Sequence, residues 1–169
     1  MVVWIIGLSG SGKTTLAEKV VEEANRKNKK TILIDGDVIR EIFGNDIGHS
    51  MNDRLINAQR ICQLGKFLSL QGVNVVCAIL SIFPKTRDWN RQNIKNYFEV
   101  FVNTPIEVLI ERDSKGLYKK FKNGEISEVV GMDIEFPIPL KADMVIDNTG
   151  SKEKFLENTE IIVQKILQS

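Results

Sequence analysis

The first fourteen residues constrain this chain more than any other stretch. Gly7-Leu8-Ser9-Gly10-Ser11-Gly12-Lys13-Thr14 fits the pattern G-x-x-x-x-G-K-[ST] at every position. The apolar run Val2–Gly7 before it reads as a buried strand. Lys13–Asn28 after it reads as a helix with Leu16, Val20 and Val21 on one face. In that setting glycines let consecutive backbone N–H groups converge on phosphate oxygens, and the helix start adds the positive end of its dipole. Gly7, Ser9, Gly10, Ser11, Gly12, Lys13, Thr14 and Thr15 are therefore candidates for binding a nucleoside triphosphate. Lys13 would reach the β- and γ-phosphates, and the Thr14 hydroxyl would bind Mg²⁺.

The remaining chain continues that alternation. Thr31–Ile34, Val73–Leu80, Tyr97–Val102 and Asp143–Ile146 read as further strands. Arg54–Gln71, with Ile61, Leu64, Phe67 and Leu68 at helical spacing, Ile106–Arg112, and Lys152–Leu167 with Ser151 as N-cap read as helices. Strands alternating with helices predict an α/β fold. It has three layers: a five-stranded parallel sheet with helices on both faces. Lys115–Lys141 breaks the rhythm, with Gly116, Gly124, Gly131, Pro137 and Pro139 and no strong period. It is expected to be a lid insertion, spanning about 113–141. With 169 residues, a single domain over 1–169 is expected.

The phosphate loop identifies a bound nucleotide and leaves the reaction open. A guanine-reading N-K-x-D is absent, which argues against a GTPase switch. Asp35-Gly36-Asp37 follows the second strand, at the sheet edge where ligands collect in open α/β folds. Two carboxylates there suit a kinase: one can organise Mg²⁺ and its water, and the other can accept a proton from a substrate hydroxyl. As a bare tripeptide D-G-D is also a common turn, and a non-catalytic ATP-binding module remains the alternative of another class.

Several further blocks resemble the adenylylsulfate (APS) kinases, which move the γ-phosphoryl of ATP to the ribose 3′-hydroxyl of adenosine 5′-phosphosulfate. Beside the phosphate loop they are Asp35–Arg40, Asp53–Asn57, Ser81 with Arg87-Asp88 and Arg91, and Arg112–Lys120 continued by Gly124-Glu125-Ile126. The resemblance runs from Ile5 to about Asn148, and Lys115-Gly116-Leu117-Tyr118 is its most specific part. It implies a P-loop NTPase, nucleoside-kinase-like fold in one kinase domain, with ATP and Mg²⁺ as cofactors. It also implies Asp37 as the contact of the accepting hydroxyl with Asp35 as its metal-side neighbour, and Arg40, Arg54, Asn57, Leu80, Ser81 and Lys115 as further acceptor-site residues. Ser81 matches a serine that the family records as a phosphoserine intermediate, and a substrate-binding role for it fits the chemistry better. Arg112 is implied in stacking on the ATP adenine or stabilising transferring charge. The family also favours a homodimer.

The departures from the family cluster at the acceptor base. The family holds adenine between two phenylalanines; here those positions are His49 and Val129. Losing both faces removes stacking worth about 1–3 kcal/mol per base contact. The family's I-S-P-Y becomes Leu80-Ser81-Ile82-Phe83-Pro84. Phosphate-handling residues stay while base-handling residues change. The chain therefore resembles most the APS-kinase-like proteins of bacterial capsule-modification clusters. These phosphorylate the 3′-hydroxyl of cytidine diphosphoramidate on the way to O-methyl phosphoramidate. Ordinary APS kinase, making 3′-phosphoadenylyl sulfate, is the alternative.

Composition narrows the partners to a small nucleotide acceptor. Lys+Arg 23 against Asp+Glu 22 provides no global field for nucleic acid or an anionic membrane, so any anion site must be local. No apolar run reaches a membrane span, and Met1–Leu8 lacks the basic start of a signal peptide. Cys62 and Cys77 lack metal or redox spacing, and Cys77 is expected to be buried. The expected compartment is the cytoplasm.

Overall fold

The computed structural model describes residues 1–169. Its elements in chain order are β1 (Val2–Ile6), α1 (Lys13–Arg26), β2 (Thr31–Asp35), α2 (Gly36–Ile42), α3 (Met51–Leu70), β3 (Asn74–Ile79) and α4 (Pro84–Asn93). There follow β4 (Tyr97–Asn103), α5 (Ile106–Arg112), α6 (Leu117–Lys122), β5 (Met144–Asp147), α7 (Lys152–Leu156) and α8 (Asn158–Leu167). The five strands form one sheet in the order β2-β3-β1-β4-β5, every pairing parallel. β1 is central and wholly buried, which is why its sequence is an unbroken apolar run.

Alternation along β1 divides the core into two layers. Val3 and Ile5 pack with Leu16 and Val20 of α1 and with Ile162 and Ile166 of α8. Val2, Trp4 and Ile6 face the opposite way, toward Ile39 of α2 and Ile61 of α3. Both cysteines are buried and free. No helix is long and apolar enough to cross a membrane.

The structure departs from the sequence reading where local chemistry overrides periodicity. Helix α3 starts at Met51 rather than Arg54, because the Ser50 hydroxyl accepts the Asp53 N–H at 3.3 Å. Phe67 lies outside its buried face and is exposed. The stretch expected as one C-terminal helix is divided into α7 and α8, although Ser151 does cap the first by accepting the Lys154 N–H at 3.3 Å. Two helices carry no apolar stripe that periodicity detects. Helix α2 is a seven-residue turn seeded by Asp35. Helix α4 opens with Pro84 and buries Thr86, Arg87 and Asn90.

Segment 113–141 contains α6 and an isolated bridge between Val130 and Ile134. Its Tyr118 and Val129 form a small core with Leu109 of α5, which seats it beside the phosphate loop.

Candidate active site

The phosphate loop is shaped from below and behind. Gly10 and Gly12 take φ of 77° and 94°, a left-handed conformation that side chains disfavour. A Cβ on Gly12 would sit 2.9 Å from Asn148 Nδ2 and 3.0 Å from Phe155 Cε1. Two side chains from much later in the chain hold loop carbonyls. The Asn148 amide donates to Ser11 O at 2.9 Å, and the Tyr118 hydroxyl donates to Ser9 O at 2.8 Å. With carbonyls held this way, the remaining N–H groups are left for an anion.

Lys13 Nζ donates to Leu8 O at 2.7 Å. Burial, and then the neighbouring Lys115 cation, bring its pKa down to about 8, against the opposing pull of Asp35 and Asp37. An ammonium held this way lacks a full counter-charge.

Asp35 ends β2 and caps α2, which fixes both of its oxygens. Oδ1 accepts the Asp37 N–H at 2.9 Å, and Oδ2 accepts the Thr14 hydroxyl at 3.0 Å. Thr14 and Asp35 thus present adjacent hard oxygens beside the lysine. This donor set fits Mg²⁺, which keeps several waters and takes its other ligands from phosphates. Asp37, in the first turn of α2, is the freer carboxylate: 69% exposed, 3.6 Å from Arg40 and 4.0 Å from Lys115.

Across the cleft the acceptor candidates are tied to backbone. Arg40 Nη1 donates to Gly36 O at 3.2 Å. Arg54 donates to His49 O at 2.6 Å and to Glu128 O at 2.8 Å, bridging the loop before α3 to segment 113–141. Burial and the neighbouring Arg40 push the Arg54 guanidinium below its usual value. Asn57 donates to Gly36 O at 2.9 Å, but its buried Oδ1 has no partner. A donor from a ligand would satisfy it. Ser81, at φ of 54°, accepts the Trp4 indole N–H at 3.1 Å.

These groups line one cavity of about 660 Å³. Ser9, Gly10, Gly12, Lys13, Thr14, Thr15, Asp35, Asp37, Arg40, His49, Arg54, Asn57, Leu80, Ser81, Lys115 and Val129 all border it. Lysines and arginines in the lining number five against three acids, a local cation surplus that the near-neutral chain conceals.

Three expected residues lie off the lining. Gly7 is buried beneath the loop, where a Cβ would meet Ser11 Oγ at 2.6 Å and Val102 O at 2.7 Å. Ser11 is buried too, and its N–H is spent on Leu8 O. These two shape the loop rather than face a ligand. Arg112 is outside the cavity and donates to Asn148 O at 3.0 Å, on the loop after β5. Val129 borders the cavity, yet it is only 3% exposed and is committed to the core with Leu109 and Tyr118.

Sequence reasoning missed Phe83, Lys120, Tyr118 and Asn148 as parts of this site. Phe83 is the one aromatic side chain in the lining. Tyr118 is visible only as part of a motif, and Asn148 is one of a polar run, Asp147-Asn148-Thr149, after the last strand. Neither carried a signal for its partner more than a hundred positions away.

A family model described as adenylylsulphate kinase matches residues 1–147. The chain belongs to the adenylylsulfate kinase family. It is a kinase, a phosphotransferase acting on a hydroxyl. Among its relatives is the cytidine diphosphoramidate kinase of Campylobacter jejuni subsp. jejuni serotype O:2, 40% identical over 165 residues, or 98% of this chain and 95% of that protein. A probable adenylyl-sulfate kinase of Bacillus subtilis is 39% identical over 149 residues, 87% of this chain and 75% of its own length. Of solved structures, the Mycobacterium tuberculosis APS kinase CysC in complex with AMPPNP and APS superposes with a TM-score of 0.89 at 31% identity. The match covers 99% of this chain and 97% of that one. The expected parallel-sheet kinase fold is thereby borne out.

Proposed function

We propose that this adenylylsulfate kinase family member transfers the γ-phosphoryl of ATP to the ribose 3′-hydroxyl of cytidine diphosphoramidate. The observation that carries the acceptor assignment is the state of Val129. Its side chain is packed into the core of segment 113–141 and offers no stacking face, while His49 stands at the opposite family position with an exposed imidazole. A site without the aromatic pair suits a pyrimidine, which needs less stacking area than adenine, and imidazole can hydrogen-bond a base edge. The Campylobacter relative, matched over almost its whole length, supports the same reading.

The chemistry follows from the cavity's own groups. Loop N–H groups and Lys13 grip the triphosphate, while Arg112 is tied to Asn148 O on the loop after β5 and would act on the adenine only from outside the cavity. Thr14 and Asp35 would hold Mg²⁺, which would supply charge stabilisation for the transferring phosphoryl group. Arg40, Arg54 and Lys115 hold the acceptor's charged phosphoramidate arm, and the free Asn57 Oδ1 accepts from a ribose hydroxyl. Asp37 takes the 3′-hydroxyl proton as that oxygen bonds to the γ-phosphorus and the bond to the β-phosphate oxygen breaks, releasing ADP. The product would serve phosphoramidate transfer to capsule sugars, and the working form would be the homodimer of the family.

The test is a side-by-side kinase assay with cytidine diphosphoramidate and adenosine 5′-phosphosulfate as acceptors. Preference for the cytidine compound is expected. Strong preference for the adenine compound would overturn the assignment in favour of adenylyl-sulfate kinase activity, the function carried by the name of the 39% identical Bacillus relative. Sedimentation at working concentration checks the dimer, and a monomer alone overturns it.

A further inference from the structure

A buried tryptophan lies directly beneath the acceptor side of the cavity. Trp4, in the middle of β1, has no exposed surface, and its indole N–H donates to Ser81 Oγ at 3.1 Å. Indole is a donor only, so this is the one polar interaction its ring can make, and in the buried site nothing replaces it. Its ring is braced by Tyr97, with centroids 6.3 Å apart, and the Tyr97 hydroxyl is in turn held by the Glu99 carboxylate at 2.8 Å.

Ser81 is held from its other side as well. Its φ of 54° places a non-glycine residue in the left-handed region. Arg87, itself buried, fixes that conformation by donating to Ser81 O at 2.8 Å while also reaching Pro137 O at 3.3 Å. The serine backbone is therefore pinned by α4, and its hydroxyl by the central strand. Once the indole occupies one lone pair, the hydroxyl hydrogen must point elsewhere, and Ser81 borders the cavity. No carboxylate or imidazole bonds to Ser81 Oγ.

We propose that Trp4 is a positioning residue: it fixes Ser81 Oγ as a hydrogen-bond donor to the acceptor nucleotide. Ser81 then binds acceptor and carries no phosphoryl group, since no base is bonded to its hydroxyl to take the proton and the indole N–H draws on one of its two lone pairs. This inference rests on the reading of the cavity as an acceptor site.

Steady-state kinetics on Trp4→Phe, Ser81→Ala and the double variant test it, using whichever of the two acceptors the wild type phosphorylates. Each single change should raise the acceptor KM by about 3- to 10-fold, the loss expected for one hydrogen bond. Neither should change the KM for ATP, and the double variant should be no worse than Ser81→Ala alone. Effects that multiply, or a Trp4→Phe protein with a lower Tm and an unchanged acceptor KM, would overturn the inference. An isosteric benzothienylalanine at position 4 removes the N–H while keeping the shape, and must reproduce the Trp4→Phe kinetics. In a Trp89→Phe background, Trp4 fluorescence must shift on Ser81→Ala. An unmoved spectrum overturns the contact even if the wild type turns over neither acceptor, an outcome that would instead sink the functional reading.

Discussion

The two walls of the cavity are built by different means. The phosphate wall is backbone: a loop between β1 and α1, shaped by glycines with positive φ and backed by the sheet core. The wall over the acceptor is assembled from side chains that grip backbone at a distance. Asp113 accepts the N–H groups of Tyr118 and Lys119 at 3.1 and 2.9 Å, and Asp133 accepts those of Glu128 and Val129 at 2.8 and 2.6 Å. The first wall leaves little choice of residue at each position and reads as a motif. The second admits many residues at each position, and His49 and Val129 border it.

Changes on each side should therefore fail differently. The largest effect is expected for Asp37→Asn, which keeps shape but removes the proton acceptor. Turnover should fall about 10²- to 10⁴-fold with nucleotide binding retained, as read by single-turnover assay and calorimetry. Gly12→Ala attacks the phosphate wall itself. The left-handed φ and the close approach of Asn148 should cost about 1–3 kcal/mol, seen as a lower Tm and a higher KM for ATP.

On the acceptor wall, His49→Phe should shift the acceptor preference toward adenine by about tenfold by restoring one stacking face. Val129→Phe should not add to it. That position is filled by the small core with Leu109 and Tyr118, so the larger ring should destabilise the segment by about 1–3 kcal/mol, visible as faster proteolysis within 113–141.

The mildest effect concerns Lys13. Its pKa near 8 is depressed by burial, so the free protein gains stability as pH rises from about 8 toward the unfolded lysine value, where only the unfolded chain still holds the proton. Bound phosphate favours the charged form, so ATP affinity should weaken as pH passes 8, with proton uptake on binding. Calorimetry in buffers of different ionisation enthalpy measures that uptake, and its absence would show Lys13 to be fully charged beforehand.

The same contrast explains what the sequence disclosed. The five strands were legible because the sheet is parallel and buried on both faces, which leaves apolar runs such as Val2–Ile6. The phosphate loop was legible because each of its conformational demands selects a residue type. Helices α2 and α4 were not, since a cap at Asp35 and a proline at position 84 start them without an apolar stripe. Trp4 read as one more apolar residue of a strand. Its polar duty appears only when β1 and the end of β3 lie side by side, as the pairing of Trp4 with Cys77 and Ile6 with Ile79 places them. Val129 is a base-facing position only by resemblance: it borders the cavity, and packing with Leu109 and Tyr118 takes most of its side chain.

Arg54 gives the cavity a sense of occupancy. Two of its five N–H donors already span the gap, one to His49 O and one to Glu128 O, so three stay free while the guanidinium is held still. A ligand anion that engages those three meets a group whose rotamer has already been chosen, and both rims of the gap feel the same grip. In the proposed reaction, holding the acceptor and tying the two rims together become one event, and departure of the product loosens both.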